Sequence, residues 1–183
     1  MRFFLFWFLV PIILLAHPHV FVDVELDIIL NKTEADVKII WRFDEMTSSM
    51  ILMDFDMNGD GKLDEKESIF LKEEAFDHLK SLGYYTVISI DKKEFSPHSI
   101  DSFRAYFEEN KILYEFSFSF QIPEKIKSFN IGCYDEDNLV AFFLSPSIKV
   151  LAKKEKFHVS HESKRENRDY YDASLLFVSW KER

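Results

Sequence analysis

The stretch VFVDVELDIILNKTEADVKIIWRF, Val20 to Phe43, decides the fold. Val20, Val22, Val24, Leu26 and Ile28 alternate with Phe21, Asp23, Glu25 and Asp27. A period of two over nine residues is the mark of a strand with one buried face. Asn31-Lys32-Thr33-Glu34 reads as a turn, and ADVKIIWRF resumes the alternation, so the two runs form a hairpin.

Downstream the period changes. DEMTSSMILMDF, Asp44–Phe55, places Met46, Met50, Leu52 and Met53 near helical spacing. After a polar loop, EKESIFLKEEAFDHLKSL carries Ile69, Leu71, Ala75, Phe76, Leu79 and Leu82 on one helical side, and Gly83 closes it. Strands then return. YYTVISID is one, and DSFRAYFEEN with KILYEFSFSF makes a second hairpin. SFNIGCYD and NLVAFFLS read as another antiparallel pair, and SIKVLAKKEKFHVS continues the strand run. Glu162 to Asp169 reads as a solvated loop, and SLLFVSW as a last buried strand. The expected fold is α+β: eight to ten mainly antiparallel strands in a sandwich, with a helix–loop–helix insert at about 44–82. Residues 17–183 are expected to form a single β-rich domain.

The start of the chain sets the compartment. MRFFLFWFLVPIILLA, Met1–Ala16, has one Arg and then an apolar run. That run is shorter than the roughly 20 residues of a membrane span, and Pro11 interrupts it. It reads as a secretory signal peptide, residues 1–16, which places the mature protein outside the cytoplasm without stable membrane insertion, an uncleaved N-terminal tether being the alternative. Cleavage after Ala16 would leave 22 basic and 32 acidic side chains. An acidic chain, net −9 as given, suits cations and is a poor partner for nucleic acid. The lone Cys133 reads as a buried, inert thiol.

Residues 56–67, DMNGDGKLDEKE, carry the strongest motif. A single EF-hand-type calcium loop needs oxygen ligands at positions 1, 3 and 5, a sharp turn at 6, a carbonyl at 7, a ligand at 9 and a bidentate Glu at 12. Asp56, Asn58, Asp60, Gly61, Lys62, Asp64 and Glu67 fill those slots in order, and Leu63 gives the usual apolar eighth position. No second such loop is present in the sequence, so a structural calcium is favoured over a switch.

His17-Pro18-His19 stands where the leader ends and the first strand begins. Neutral imidazoles suit zinc, copper and nickel, and a freed terminal amine adds a nitrogen donor. Residues 17 and 19 of a strand share a side, but two histidines do not close a tetrahedral site. Asp135, Asp44 or Glu45 could supply a third ligand. The plain alternative is an exposed mature N-terminus. His158 and His161 form a second pair, while His78 and His98 read as surface polar residues.

The order HPHVFVD, WRFDE at Trp41–Glu45, the calcium loop, LGYYT at Leu82–Thr86 and YDEDNLVAF at Tyr134–Phe143 resembles domain-of-unknown-function family one thousand and seven. Its members are exported bacterial proteins described as periplasmic components of an uncharacterised ABC-type transport system, linked to zinc, nickel and cobalt handling. The resemblance spans about residues 17–145. It implies a transition-metal site at His17 and His19, with Asp135 matching the family's Tyr-Asp element, and a membrane metal transporter as partner. After Asp135 this chain runs Glu-Asp-Asn-Leu where the family has Pro-Thr and aromatics.

The leading expectation is therefore a non-enzymatic, periplasmic, metal-binding accessory of a transition-metal transport system, with calcium and a zinc- or nickel-class ion as cofactors. The alternatives are a calcium-stabilised adhesion or assembly module, and a copper-dependent oxidative enzyme. No Gly-x-Ser-x-Gly, His-Glu-x-x-His or phosphate-loop signature occurs.

Overall fold

A computed structural model describes residues 18–153, 157–168 and 171–182; the leader and His17 lie outside them. The opening alternation forms β1 (Val20–Leu30) and β2 (Glu34–Phe43), paired antiparallel from Val22↔Phe43 to Leu30↔Ala35. Val22, Val24, Leu26, Ile28 and Leu30 are buried. On the other face Asp27 meets Lys38 at 3.3 Å and Glu25 meets Arg42 at 3.7 Å. The second hairpin is β5 (Ser102–Glu108) and β6 (Lys111–Gln121). Its two-residue turn, Glu109-Asn110, has both φ positive, at 51° and 61°. That sense of turn matches the twist of the flanking strands.

The remaining strands are β3 (Thr86–Ile90), β4 (Lys93–Phe95), β7 (Ser128–Cys133), β8 (Val140–Ala152), β9 (Phe157–Arg168) and β10 (Tyr171–Glu182). Two five-stranded sheets result, ordered β5-β6-β2-β1-β8 and β4-β3-β7-β10-β9. Apart from one parallel pair, β1 with β8, all pairing is antiparallel. The inner faces meet through aromatic side chains, with Phe120 edge-on to Phe129 at 5.2 Å and Phe129 against Trp180 at 6.0 Å. Each fully buried side chain of this size contributes about 1.5–3 kcal/mol relative to exposure.

Three expectations are corrected. First, SFNIGCYD and NLVAFFLS do not pair with each other. β7 joins β3 and β10 in one sheet, while β8 runs parallel to β1 in the other, Val20↔Val140 to Leu30↔Ala152. The link between them is a crossover between sheets, not a hairpin, and its loop is organised by Asp135. The β1–β8 register shifts between Val24↔Leu144 and Leu26↔Ile148, a bulge that brackets Pro146, which has no N–H to give a ladder.

Second, Glu162–Arg168 is strand rather than loop. β9 pairs with β10 along its whole length, with Glu162, Lys164 and Arg165 exposed at the sheet edge. Charge on an edge strand discourages pairing with other chains, and it hides the strand from hydropathy.

Third, the segment after the acidic loop is not one regular helix. α2 spans Glu65–Leu71, then a π-helical turn covers Lys72–Phe76 and 3-10 turns cover Asp77–Tyr85. Leu71 and Phe76 are buried, but Ile69 and Leu82 are exposed. Gly83 does end the segment, at φ 58°, and Tyr84 and Tyr85 follow in the same region of φ.

Candidate functional site

The insert is fastened to the sheet by polar side chains at the starts of its helices. α1 spans Glu45–Phe55, and Asp44 is its N-cap. Asp44 Oδ1 accepts from the Thr47 amide at 2.9 Å, and Oδ2 accepts from the Phe21 amide at 3.0 Å and the Thr47 hydroxyl at 2.7 Å. Partial burial pushes the Asp44 carboxyl upward, but these donors outweigh it and hold it below the ordinary carboxylate value. One residue thus caps a helix and ties it to β1. The buried hydroxyls of Ser48 and Ser68 accept from the Ile112 amide at 2.9 Å and the Ala105 amide at 2.7 Å. Phe76 then stacks on Tyr84 at 5.3 Å and packs tilted against Phe103 at 4.2 Å, closing an aromatic cluster around Trp41 and Phe116.

Between the helices, the acidic loop turns its side chains onto its own backbone. Asp56 Oδ1 accepts from Gly59 and Asp60, and its Oδ2 from Gly61, at 2.8–3.1 Å. Asn58 Oδ1 accepts from Asp60, and Asp60 Oδ1 from Lys62. Gly61 sits at φ 77°, a conformation glycine adopts without steric cost, so the chain can reverse there. Asp64 caps α2, accepting from the Glu67 amide at 2.9 Å, while Glu67 Oε2 accepts from the Asp64 amide at 2.9 Å. Glu67 Oε1 also reaches back across the loop to the Met57 and Asn58 amides at 2.9 and 3.2 Å. Glu67 is only 2% exposed, and Leu63 packs into the core. The residues Asp56, Asn58, Asp60, Asp64 and Glu67 are therefore gathered on one turn of chain. Among the described residues no three His, Cys, Asp or Glu side chains converge as a metal cluster.

A second constellation lies at the start of β1. The His19 amide donates to the Leu139 carbonyl at 2.9 Å, and its side chain is exposed. The Leu139 and Val140 amides in turn donate to Asp135 Oδ2 at 2.9 and 3.0 Å, and the Asp137 amide to Oδ1 at 3.1 Å. The fold thus brings His19 to the loop that Asp135 organises. Asp135 is 4% exposed, and a cation there would share its carboxylate with three amides. His17 falls outside the described residues.

A cleft of about 390 Å³ opens on this loop, lined by Gly83, Tyr85, Ser96, His98, Tyr134, Asp135 and Asp137 among others. Burial raises the Tyr85 phenol, and the carboxylates of Asp135 and Asp137 raise it further. His98, set aside in the sequence as a surface residue, stands at the rim of that cleft. The signal was the adjacent Pro97, which is buried and anchors the turn.

The other histidines do not gather. His78 is exposed, and His158 and His161 are exposed on β9, where a spacing of three points them to opposite faces. Cys133 is buried as expected. Burial pushes its thiol up to about 11, against a smaller opposing effect of the Thr86 hydroxyl, 3.8 Å from the sulfur. No helix among the described residues is long and apolar enough to cross a membrane.

A family model described as "Protein of unknown function (DUF1007)" matches residues 2–175. An uncharacterised 15.5 kDa protein from the trpE 3' region of Spirochaeta aurantia is 36% identical over 66 residues, 36% of this chain and 47% of that protein. The match thus spans about half of that relative's length. A crystal structure of AChBP from Bulinus truncatus is 11% identical and aligns over 92% of this chain and 90% of that one, with a TM-score of 0.44.

Proposed function

We propose, from the premise that this chain belongs to the DUF1007 family, that it is an exported accessory protein of transition-metal transport, built around a structural calcium loop. The observation that carries the calcium reading is the loop of residues 56–67. It offers only oxygen donors, at alternating positions Asp56, Asn58 and Asp60. A glycine at φ 77° stands where the chain must reverse to turn the Lys62 carbonyl inward. The exit helix returns a buried carboxylate, Glu67, to the loop's first residues. Carboxylate-rich, flexible oxygen sites of this spacing suit calcium better than magnesium, which gives up its waters reluctantly. The donor set fits an EF-hand-type site.

The role follows from where the loop sits. α1 and α2 flank it, and each is bonded by a serine to β6 or β5. A cation held between them would fix the insert on the sheet without any catalytic step.

The transition-metal part rests on His17 and His19, with Asp135 organising the loop whose Leu139 carbonyl takes the His19 amide. Imidazole and terminal-amine nitrogens favour zinc-, nickel- or copper-class ions. In this reading the ion is cargo, passed to or sensed for a membrane transporter. Isothermal titration separates the two parts. Calcium binding should vanish in Glu67→Gln and persist in His17→Ala/His19→Ala, while zinc binding should do the reverse. Equal zinc affinity in the double-histidine variant would reject the transport reading, and the absence of calcium uptake by the unmodified protein would reject the loop.

A further inference from the structure

We infer that the apolar cavity between the start of β1 and the helical insert is a binding site for a small organic cation of the quaternary ammonium class. The cavity holds about 240 Å³. A dry apolar cavity of about 150 Å³ is already enough to take up benzene. Trp41 is the central ring of the lining. Phe142, Tyr85 and Phe43 stand 5.3, 6.3 and 6.5 Å from it, centre to centre, and all four rings line the cavity. They tilt from the indole by 49°, 46° and 88°, so they stand around it instead of lying flat on it. The mouth is formed by half-buried side chains, Ala75 and Leu79 from the insert and Val20 and Val140 from the starts of β1 and β8.

Electrostatics select the sign of the ligand. Among the described residues that line the cavity there is no Lys, Arg or His. Two carboxylates are bonded directly to the lining. Asp44 accepts from the hydroxyl of Thr47, a lining residue, at 2.7 Å, and its donors hold it ionised at neutral pH. Asp135 accepts from the amide of Val140, also in the lining, at 3.0 Å. Its field reaches the Tyr85 wall, where it adds to burial in raising the phenol. Aromatic faces are themselves the negative side of the ring quadrupole, and the indole face is the best of them for a cation held away from water. The chain as a whole, net −9, draws cations towards it.

The same carboxylates select the substitution on nitrogen. Asp44 already accepts from the Phe21 and Thr47 amides and the Thr47 hydroxyl, three of its roughly four acceptor positions. Asp135 gathers the amides of Asp137, Leu139 and Val140. Both supply charge, but their oxygens are taken up by donors of the fold. A primary ammonium entering this cavity would give up hydrogen bonds to water without replacing them, which is costly. A fully alkylated ammonium has none to lose, and its methyl groups fit apolar walls. The site needs no metal ion, so it stands or falls independently of the calcium and zinc readings.

The test titrates the purified protein, in calcium buffer free of transition metals, with three probes: choline, its neutral carbon isostere 3,3-dimethylbutan-1-ol, and ethanolamine. Binding is read by calorimetry and by proton NMR of the probe. Choline should bind about tenfold or more tightly than either of the others, and ring currents should move its N-methyl signal upfield. Leu79→Lys places a positive charge at the mouth and should weaken choline binding by about tenfold or more. Should that variant fail to fold, Tyr85→Leu, which keeps an apolar wall and removes the ring, decides by its own loss of choline affinity. Three results would overturn the inference: no choline binding, an isostere or ethanolamine that binds as tightly as choline, or unchanged choline affinity in the folded variant.

Discussion

Replacing Glu67 by Gln exchanges one carboxylate oxygen for an NH2 group, in a place where every neighbour is a donor. Oε1 accepts from the Met57 and Asn58 amides, and Oε2 from the Asp64 amide. Whichever way the Gln amide turns, its NH2 faces at least one backbone N–H across about 3 Å, and the site is 2% exposed. Losing a hydrogen bond to a charged acceptor and stranding its donor costs about 1.5–3 kcal/mol. For a chain of this size each kcal/mol moves the melting temperature by about 2–4 °C. In chelator the variant should therefore melt about 3–12 °C lower, with the centre of that range near 7 °C. Calcium adds a separate effect. At a hundredfold excess over Kd, a bound ion stabilises the native state by about 2.7 kcal/mol, or about 5–11 °C. The unmodified protein should show that rise and Glu67→Gln should not. Differential scanning calorimetry with and without calcium gives all four numbers. Equal melting of the two proteins in chelator would refute the buried-acceptor argument. An equal calcium-induced rise in both would refute Glu67 as a ligand.

Three further outcomes follow from particular contacts. Ser68→Ala should destabilise by about 1–3 kcal/mol, read as a shifted urea midpoint at constant slope, because it leaves the buried Ala105 amide without its acceptor. Gly83→Ala should destabilise by more than about 1 kcal/mol in the same assay. The position is at φ 58°, and an added Cβ would lie 2.3 Å from the Ser96 Cβ. The bidentate Arg168–Glu94 pair, 2.6 and 3.0 Å, holds the Glu94 carboxyl below its ordinary value of 4.5, against partial desolvation. Its stabilisation should be full above about pH 4.5 and disappear as pH falls through the lowered value. Because Glu94 is partly exposed, the effect is at most about 1 kcal/mol. Comparing Glu94→Gln with the unmodified protein in urea melts from pH 7 to pH 3 should show two curves that converge at the acid end.

The hairpin at residues 20–43 was legible because both its strands bury one face against the core. A period of two is then forced by geometry and needs no knowledge of the partner sheet. The same holds for β6, whose Tyr114, Phe116, Phe118 and Phe120 are all buried. The acidic loop was legible for another reason: its ligand-type residues and its turning glycine are local in sequence, and local hydrogen bonds arrange them. Asp135 was legible as a candidate ligand at the end of an ordered segment and through the resemblance, but the backbone amides it gathers were not.

Other features lay beyond the sequence because they depend on what stands opposite. β9 is an edge strand rich in charge, joined to the sheet by its backbone ladder with β10, so hydropathy reads it as loop. β7 and β8 look like a hairpin, but their faces are claimed by different sheets. The rotation of α1 was hidden as well. Its methionines recur at helical spacing, yet the Ser48 hydroxyl, bonded to the Phe43 carbonyl and the Ile112 amide, and the Thr47 hydroxyl, bonded to the Asp44 carboxylate, take the inward position. The sequence by itself determined which segments are strands with a buried face and which loop gathers oxygen donors, since period and spacing are local properties. Only the tertiary structure decided which sheet each later strand joins, how His19 comes beside the Asp135 loop, and which face of α1 meets water, because each depends on partners distant in the chain.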